Sequence, residues 1–129
     1  TGAFVDVHTD ILTPKVEALK ATPHAALHIW LPEAKLQIRM TTSVEIVTGD
    51  AVADDWARIP NASRVSYGTH PLPGLPIGEM YDYEKPPVRE RFAVLRCWID
   101  QIDLVELADR HRRAEFHRSD EWKGSWRAP

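Results

Sequence analysis

The chain has a single cysteine, Cys97, so no intrachain disulfide can form. Cys97 lies in the apolar run Phe92-Ala93-Val94-Leu95-Arg96-Cys97-Trp98-Ile99, where the ordinary reading is a buried strand thiol. Nothing points to secretion, and the reducing cytoplasm is the expected compartment. No apolar stretch approaches the roughly 20 residues of a membrane span. Positive charge is not in excess: the net charge of −3 leaves no global field to recruit nucleic acid. There is no Gly-rich phosphate loop of familiar spacing. The six histidines, at 8, 24, 28, 70, 111 and 117, show no metal-ligand spacing and have no cysteine cluster beside them. Ser63 and Ser66 sit in no nucleophile elbow. A disulfide scaffold, a P-loop enzyme and a triad hydrolase are therefore set aside. What is present, 129 residues that are 43% hydrophobic and 27% charged, suits one domain with a real core and excludes low-complexity and disordered classes.

The chain opens Thr1-Gly2-Ala3-Phe4, with no Met, signal peptide or tag. Phe4, Val5 and Val7 read as a strand already under way, and the expectation is that an N-terminal strand of the natural protein precedes this sequence. Residues 2–8 are predicted as strand and 9–12 as a turn. Thr13-Pro14 is predicted to open a helix that Pro23 ends, since Thr is a good N-cap and Pro suits the first helical position. Residues 24–31 alternate, with Ala25, Leu27, Ile29 and Leu31 on one side and His24, His28 and Trp30 on the other. The strongest pattern is residues 36–47: Leu36, Ile38, Met40, Thr42, Val44 and Ile46 alternate with Gln37, Arg39, Thr41, Ser43, Glu45 and Val47, a period of two that fits no helix. Asp50 is expected to cap a short helix at 51–59, and a further helical turn is expected within 61–67. Five of the ten prolines and three of the six glycines fall in residues 68–87, which read as a surface excursion within one domain, 1–129. A strand is expected at 91–99, continuing at 102–107 after a bend or bulge at Asp100-Gln101, then a hairpin of about 110–118 and 122–128. Sequential amphipathic strands with few short helices predict an antiparallel sheet curled into a barrel.

Three segments carry candidate chemistry. In His8-Thr9-Asp10-Ile11-Leu12-Thr13-Pro14-Lys15 a strand feeds a helix N-terminus beside two threonine hydroxyls and a lysine. Free N–H groups, the helix dipole and the cation favour a phosphate or another anion, while an ordinary cap with a solvated lysine uses the same residues. Gln37 and Arg39 stand side by side on the polar face of the long strand, either solvated or facing a planar polar ligand. In Asp109-Arg110-His111-Arg112-Arg113-Ala114-Glu115-Phe116-His117-Arg118, Arg113, Glu115 and His117 share one strand face and Arg112, Ala114, Phe116 and Arg118 the other. A charged edge that resists aggregation accounts for that pattern equally well. The interleaved acids argue against a nucleic-acid patch.

Taken in order, FVDVHTDILTPK (Phe4 to Lys15), TPHAALHIW (Thr22 to Trp30), KLQIRM (Lys35 to Met40) and IDLVEL…HRRAEFHR…WKGSWRAP (Ile102 to Pro129) resemble the pyridoxamine 5′-phosphate oxidase-like FMN-binding split barrels. The likeness is to the flavin-nucleotide-binding, pyridoxamine-oxidase-related branch. It spans nearly the whole chain outside the excursion, through the order and spacing of its segments. It implies an antiparallel split β-barrel that forms a homodimer with FMN at the subunit interface. It also implies that His8, Thr9 and Lys15 hold the FMN phosphate, that Gln37 and Arg113 reach the flavin, and that Ser63 and His111 lie at the substrate site. Pro14 stands where the family often has Arg, Asp109 where its substrate segment begins with Arg, and Val105 where an aromatic packs near the flavin. The resemblance therefore supports FMN binding better than pyridoxamine oxidation. The function expected is an FMN-dependent oxidoreductase acting on a small molecule. The alternatives are a non-enzymatic flavin- or haem-binding module of the same fold and a structural β-domain without a ligand. Neither a nucleic-acid nor a membrane partner is expected.

Overall fold

A computed structural model describes residues 2–129. Strand β1 spans Phe4–Asp10, helix α1 Pro14–Ala21, β2 His24–Leu31 and β3 Leu36–Val47. A 3₁₀ turn at Gly49–Val52 leads into α2, Ala53–Arg58, and then α3, Asn61–Arg64. Strand β4 spans Phe92–Glu106, β5 Arg112–His117 and β6 Ser125–Arg127. The six strands form one sheet in the order β2-β3-β4-β5-β6, with β1 also paired to β4, and the sheet does not close on itself. Hydrogen bonds from Ile11 N–H to Arg91 C=O (2.8 Å) and from Ile99 N–H to Ala3 C=O (3.0 Å) bracket the β1–β4 pairing in an antiparallel sense. Further along β4, residues 101–106 pair with β5.

The alternation at 36–47 is realised as one twelve-residue strand whose Met40 and Thr42 are buried while Arg39 and Thr41 are exposed. The runs expected at 91–99 and 102–107 form one strand: β4 continues through Asp100-Gln101 for fifteen residues. The two polar side chains are accommodated by partners: Ser43 Oγ and Arg118 donate to Asp100, and Gln101 donates to Glu115. Asp50 caps no helix. It lies inside the 3₁₀ turn, and α2 begins only at Ala53.

Cα packing divides the chain into two compact units. One comprises residues 2–5, His24–Val44 and Cys97–Pro129, and its buried residues include Met40, Thr42, Cys97, Ile99 and Asp103. The other comprises Asp6–Pro23 and Glu45–Arg96. Its core is Val52, Ile59, Phe92 and Val94, with Val47, Trp56 and Tyr67 packed against it. The excursion belongs to this second unit. An antiparallel bridge between His70 and Glu84 closes it, with both hydrogen bonds at 2.8 Å. Its root requires glycine: Gly68 has φ +141°, and a Cβ there would collide with the Pro86 carbonyl.

Candidate functional site

In the second unit, the turn between β1 and α1 is organised by Asp10. Its carboxylate, 4% exposed, accepts the backbone N–H groups of Leu12 (2.8 Å) and Gly68 (3.0 Å) and a two-point contact from Arg91 (2.8 and 2.6 Å). Arg91 also donates to the Thr69 carbonyl at 3.2 Å. One buried ion pair thus ties the entry to α1, the root of the excursion and the start of β4. Thr13 is the N-cap residue of α1 and Pro14 follows inside the first turn, as predicted, but Thr13 makes no side-chain cap. Its hydroxyl donates back to the Asp10 carbonyl at 3.1 Å, and the buried Thr9 hydroxyl donates to the same oxygen at 3.3 Å. Of the residues expected to meet a phosphate, Lys15 is exposed in the first turn of α1. His8 is exposed and sets its ring edge-on to Phe92, with centroids 5.2 Å apart. Ser63 is exposed in α3.

In the first unit, Gln37 and Arg39 share a face of β3, and the β2–β3 register sets Trp30 opposite Gln37 and His28 opposite Arg39. Directly opposed residues point to the same face, so Trp30, Gln37, His28 and Arg39 form one polar and aromatic patch. The centre of that face is Asp103, 5% exposed. Arg113 donates to it through Nε (3.0 Å) and Nη2 (2.7 Å), and Arg39 through Nη2 (2.7 Å). The structure therefore brings together Arg39 and Arg113, which sequence separates widely. His111 is exposed, just before β5.

The electrostatics of this face are uneven. Arg118 pairs with Asp100, and Arg127 with Glu115. Among the described residues only Asp103 is shared by two guanidiniums, which leaves a surplus of one positive charge beside Gln37. The hydrogen bond from Arg113 holds the Asp103 carboxyl below its usual range; burial works the other way and is outweighed with the help of Arg39. Asp100 is likewise held low, first by Ser43 and then by Arg118, and Glu115 first by His117, with Arg127 adding to it. Asp103 escaped sequence reading because it stands in the strand-like run Ile102 to Leu107. The alternation at 24–31 gives Trp30 its face, but its pairing with Gln37 depends on a register that is invisible without the partner strand.

Chemically, this face offers an aromatic ring, an amide and two guanidiniums, the donor set of a site for a planar anionic ligand. In the second unit Lys15 offers an exposed cation at a helix start, which suits a phosphate. Among the described residues, no three His, Cys, Asp or Glu side chains are placed to hold a metal ion, and no helix is long and apolar enough to cross a membrane.

No protein-family model and no curated protein matches the chain. Solved structures do. A pyridoxamine 5′-phosphate oxidase-related, FMN-binding protein from Nostoc punctiforme superposes with a TM-score of 0.79 at 23% identity, covering 98% of this chain and 73% of that one. PhzG from Burkholderia lata, solved with tetrahydrophenazine-1-carboxylic acid, superposes with a TM-score of 0.68 at 18% identity, covering 99% of this chain and 73% of that one. The chain has the split-barrel fold of these proteins, mostly antiparallel sheet with short helices.

Proposed function

We propose that the protein binds FMN and acts as a flavin-dependent oxidoreductase on a small molecule. The observation that carries this reading is the surplus cation at Arg39–Asp103–Arg113, beside Gln37 and Trp30, in a chain that shares its fold with an FMN-binding protein. Each unit, taken by itself, presents residues that suit one part of the cofactor. Lys15 would hold the phosphate, assisted by the first turn of α1. Gln37, Arg39 and Arg113 would meet the polar edge of the ring. Thr9 and Thr13 would contribute through the turn they stabilise, since both hydroxyls already donate to the Asp10 carbonyl. His8, Ser63 and His111 are exposed and free of that turn's constraints. Ser63 and His111 are the proposed substrate contacts.

Bound FMN would supply hydride or electron transfer; this chain's part is to bind, orient and set the charge around the ring. Two guanidiniums anchored on a buried carboxylate are preorganised, so they stabilise negative charge on a ligand without reorienting. Asp109 carries a negative charge at the head of the segment that includes His111, which disfavours a phosphorylated substrate there.

We further propose a homodimer. A mainly apolar groove of ≈ 220 Å³ in the first unit is lined by Leu36, Leu104, Ala114, Phe116 and Trp126 together with the paired Glu106 and Arg112, with Trp126 74% exposed, and such a surface is suited to cover by a second copy. The enzymatic half of the proposal is tested with FMN-loaded protein under air. Bound flavin should be bleached by a reduced nicotinamide or amine donor and recolour in oxygen. Pyridoxamine 5′-phosphate should be a poor donor, with kcat/KM below about 10⁴ M⁻¹s⁻¹. Flavin that no donor bleaches would favour the binding module instead.

A further inference from the structure

The Arg39–Asp103–Arg113 cluster differs from the other arginine–carboxylate pairs of the sheet in stoichiometry: one carboxylate is shared by two guanidiniums. The Asp103 side chain is 7% exposed, while those of Arg113 and Arg39 are 31% and 52% exposed. The carboxylate is inside and the guanidiniums stand over it. Arg113 uses Nε and Nη2 on Asp103 and Arg39 uses Nη2 alone, so Nη1 of Arg113 and Nε and Nη1 of Arg39 have no side-chain partner among the described residues. Two long, rotamer-rich side chains are thereby fixed by one buried group, with their remaining donors directed away from it. The cost of burying a carboxylate is met only when it is well paired, and here it is paired twice. A simple structural pair would need one cation. The second one leaves a net positive charge on the face that carries Gln37 and Trp30.

We propose that Asp103 is the positioning residue of this site: it holds Arg113, and with it Arg39, in the orientation in which they meet the ring of a bound flavin. This rests on the FMN reading above and assigns the ring-edge contacts to a preformed device, not to flexible surface arginines. The residue makes no contact with the ligand of its own. Its effect passes chiefly through Arg113, whose guanidinium it grips at two points in a planar fork that lysine cannot reproduce, and to a smaller extent through its single bond to Arg39.

The test is a double-mutant cycle on flavin affinity, read by quenching of flavin fluorescence in the full chain. FMN and riboflavin are titrated into the wild type, Asp103→Asn, Arg113→Ala and the double variant, with thermal melts alongside. Each single change should weaken both ligands about tenfold, in the same proportion because the ring is common to both, and the double variant, which loses only the Arg39 anchor in addition, should stay well short of a hundredfold weaker. Losses that multiply to about a hundredfold would show that Asp103 acts independently of Arg113 and would overturn the proposal. So would a loss confined to FMN, which places the effect at the phosphate. Wild-type binding with unchanged affinity in Asp103→Asn leaves the FMN reading standing and refutes this one. A wild type that binds neither flavin refutes both. If Asp103→Asn does not fold, Asp103→Glu, which keeps the charge and moves it by one methylene, enters the same cycle and is read the same way.

Discussion

Asp10 shows how much a single side chain can organise. Its buried carboxylate meets Arg91 at two points and two backbone N–H groups from different parts of the chain, and the Arg91 side chain is itself mostly buried. Removing one member of such a pair leaves the other charged, desolvated and unpaired, which costs about 3–5 kcal/mol. Asp10→Asn should lose about that much in denaturant unfolding, a large part of the 5–15 kcal/mol typical of a domain (approximately). A loss under about 1 kcal/mol would show that the turn is held by other contacts. Asp10 lies in the candidate anion-binding segment His8–Lys15, but the sequence gives it no role there beyond a turn. Nothing in the local pattern announces a partner more than eighty residues away. Cys97 was the opposite case: its place in an apolar run is enough to bury it.

At the scale of elements, β4 and β5 are joined by a ladder of side-chain pairs as well as by backbone. Asp100, Asp103 and Glu115 all lie on this ribbon, and all three carboxyls are held below their usual range, by Ser43, Arg113 and His117 respectively as the leading cause. Each binds a proton less readily folded than unfolded. The stability they contribute is therefore complete above the unfolded value of about 4 and is lost as pH falls through the lower folded values. Unfolding measured from about pH 6 down to about pH 2 should show stability falling below about pH 4. Asp103→Asn should flatten part of that fall while lowering stability at the upper end. A variant curve parallel to the wild type would contradict the assignment. The same ribbon marks the limit of what periodicity reveals. The alternation at 36–47 reports its strand directly, because one face is buried and the other wet. Asp100-Gln101 looks like a break, because the residues that satisfy those polar groups come from β3 and β5. The site was legible in pieces: Gln37, Arg39 and Arg113 could be named, but the carboxylate that joins two of them becomes visible only when the strands are paired.

The pair of subunits proposed above sets an expectation for the whole molecule. A stable pair should bury about 2,000 Å² or more in total, and sedimentation at micromolar concentration should give twice the 14.7 kDa chain mass. A single species at the chain mass would remove the dimer from the proposal. The proposed binding of FMN with its phosphate on Lys15 is tested by equilibrium titration of the full chain with FMN and with riboflavin. FMN should saturate at one per chain with a Kd of about 1 μM or tighter. Lys15→Ala should weaken FMN by about 1–3 kcal/mol and leave riboflavin almost unchanged. Folded protein that shows no saturable FMN binding would refute the cofactor, and a Lys15→Ala variant that loses both flavins equally would refute the phosphate contact.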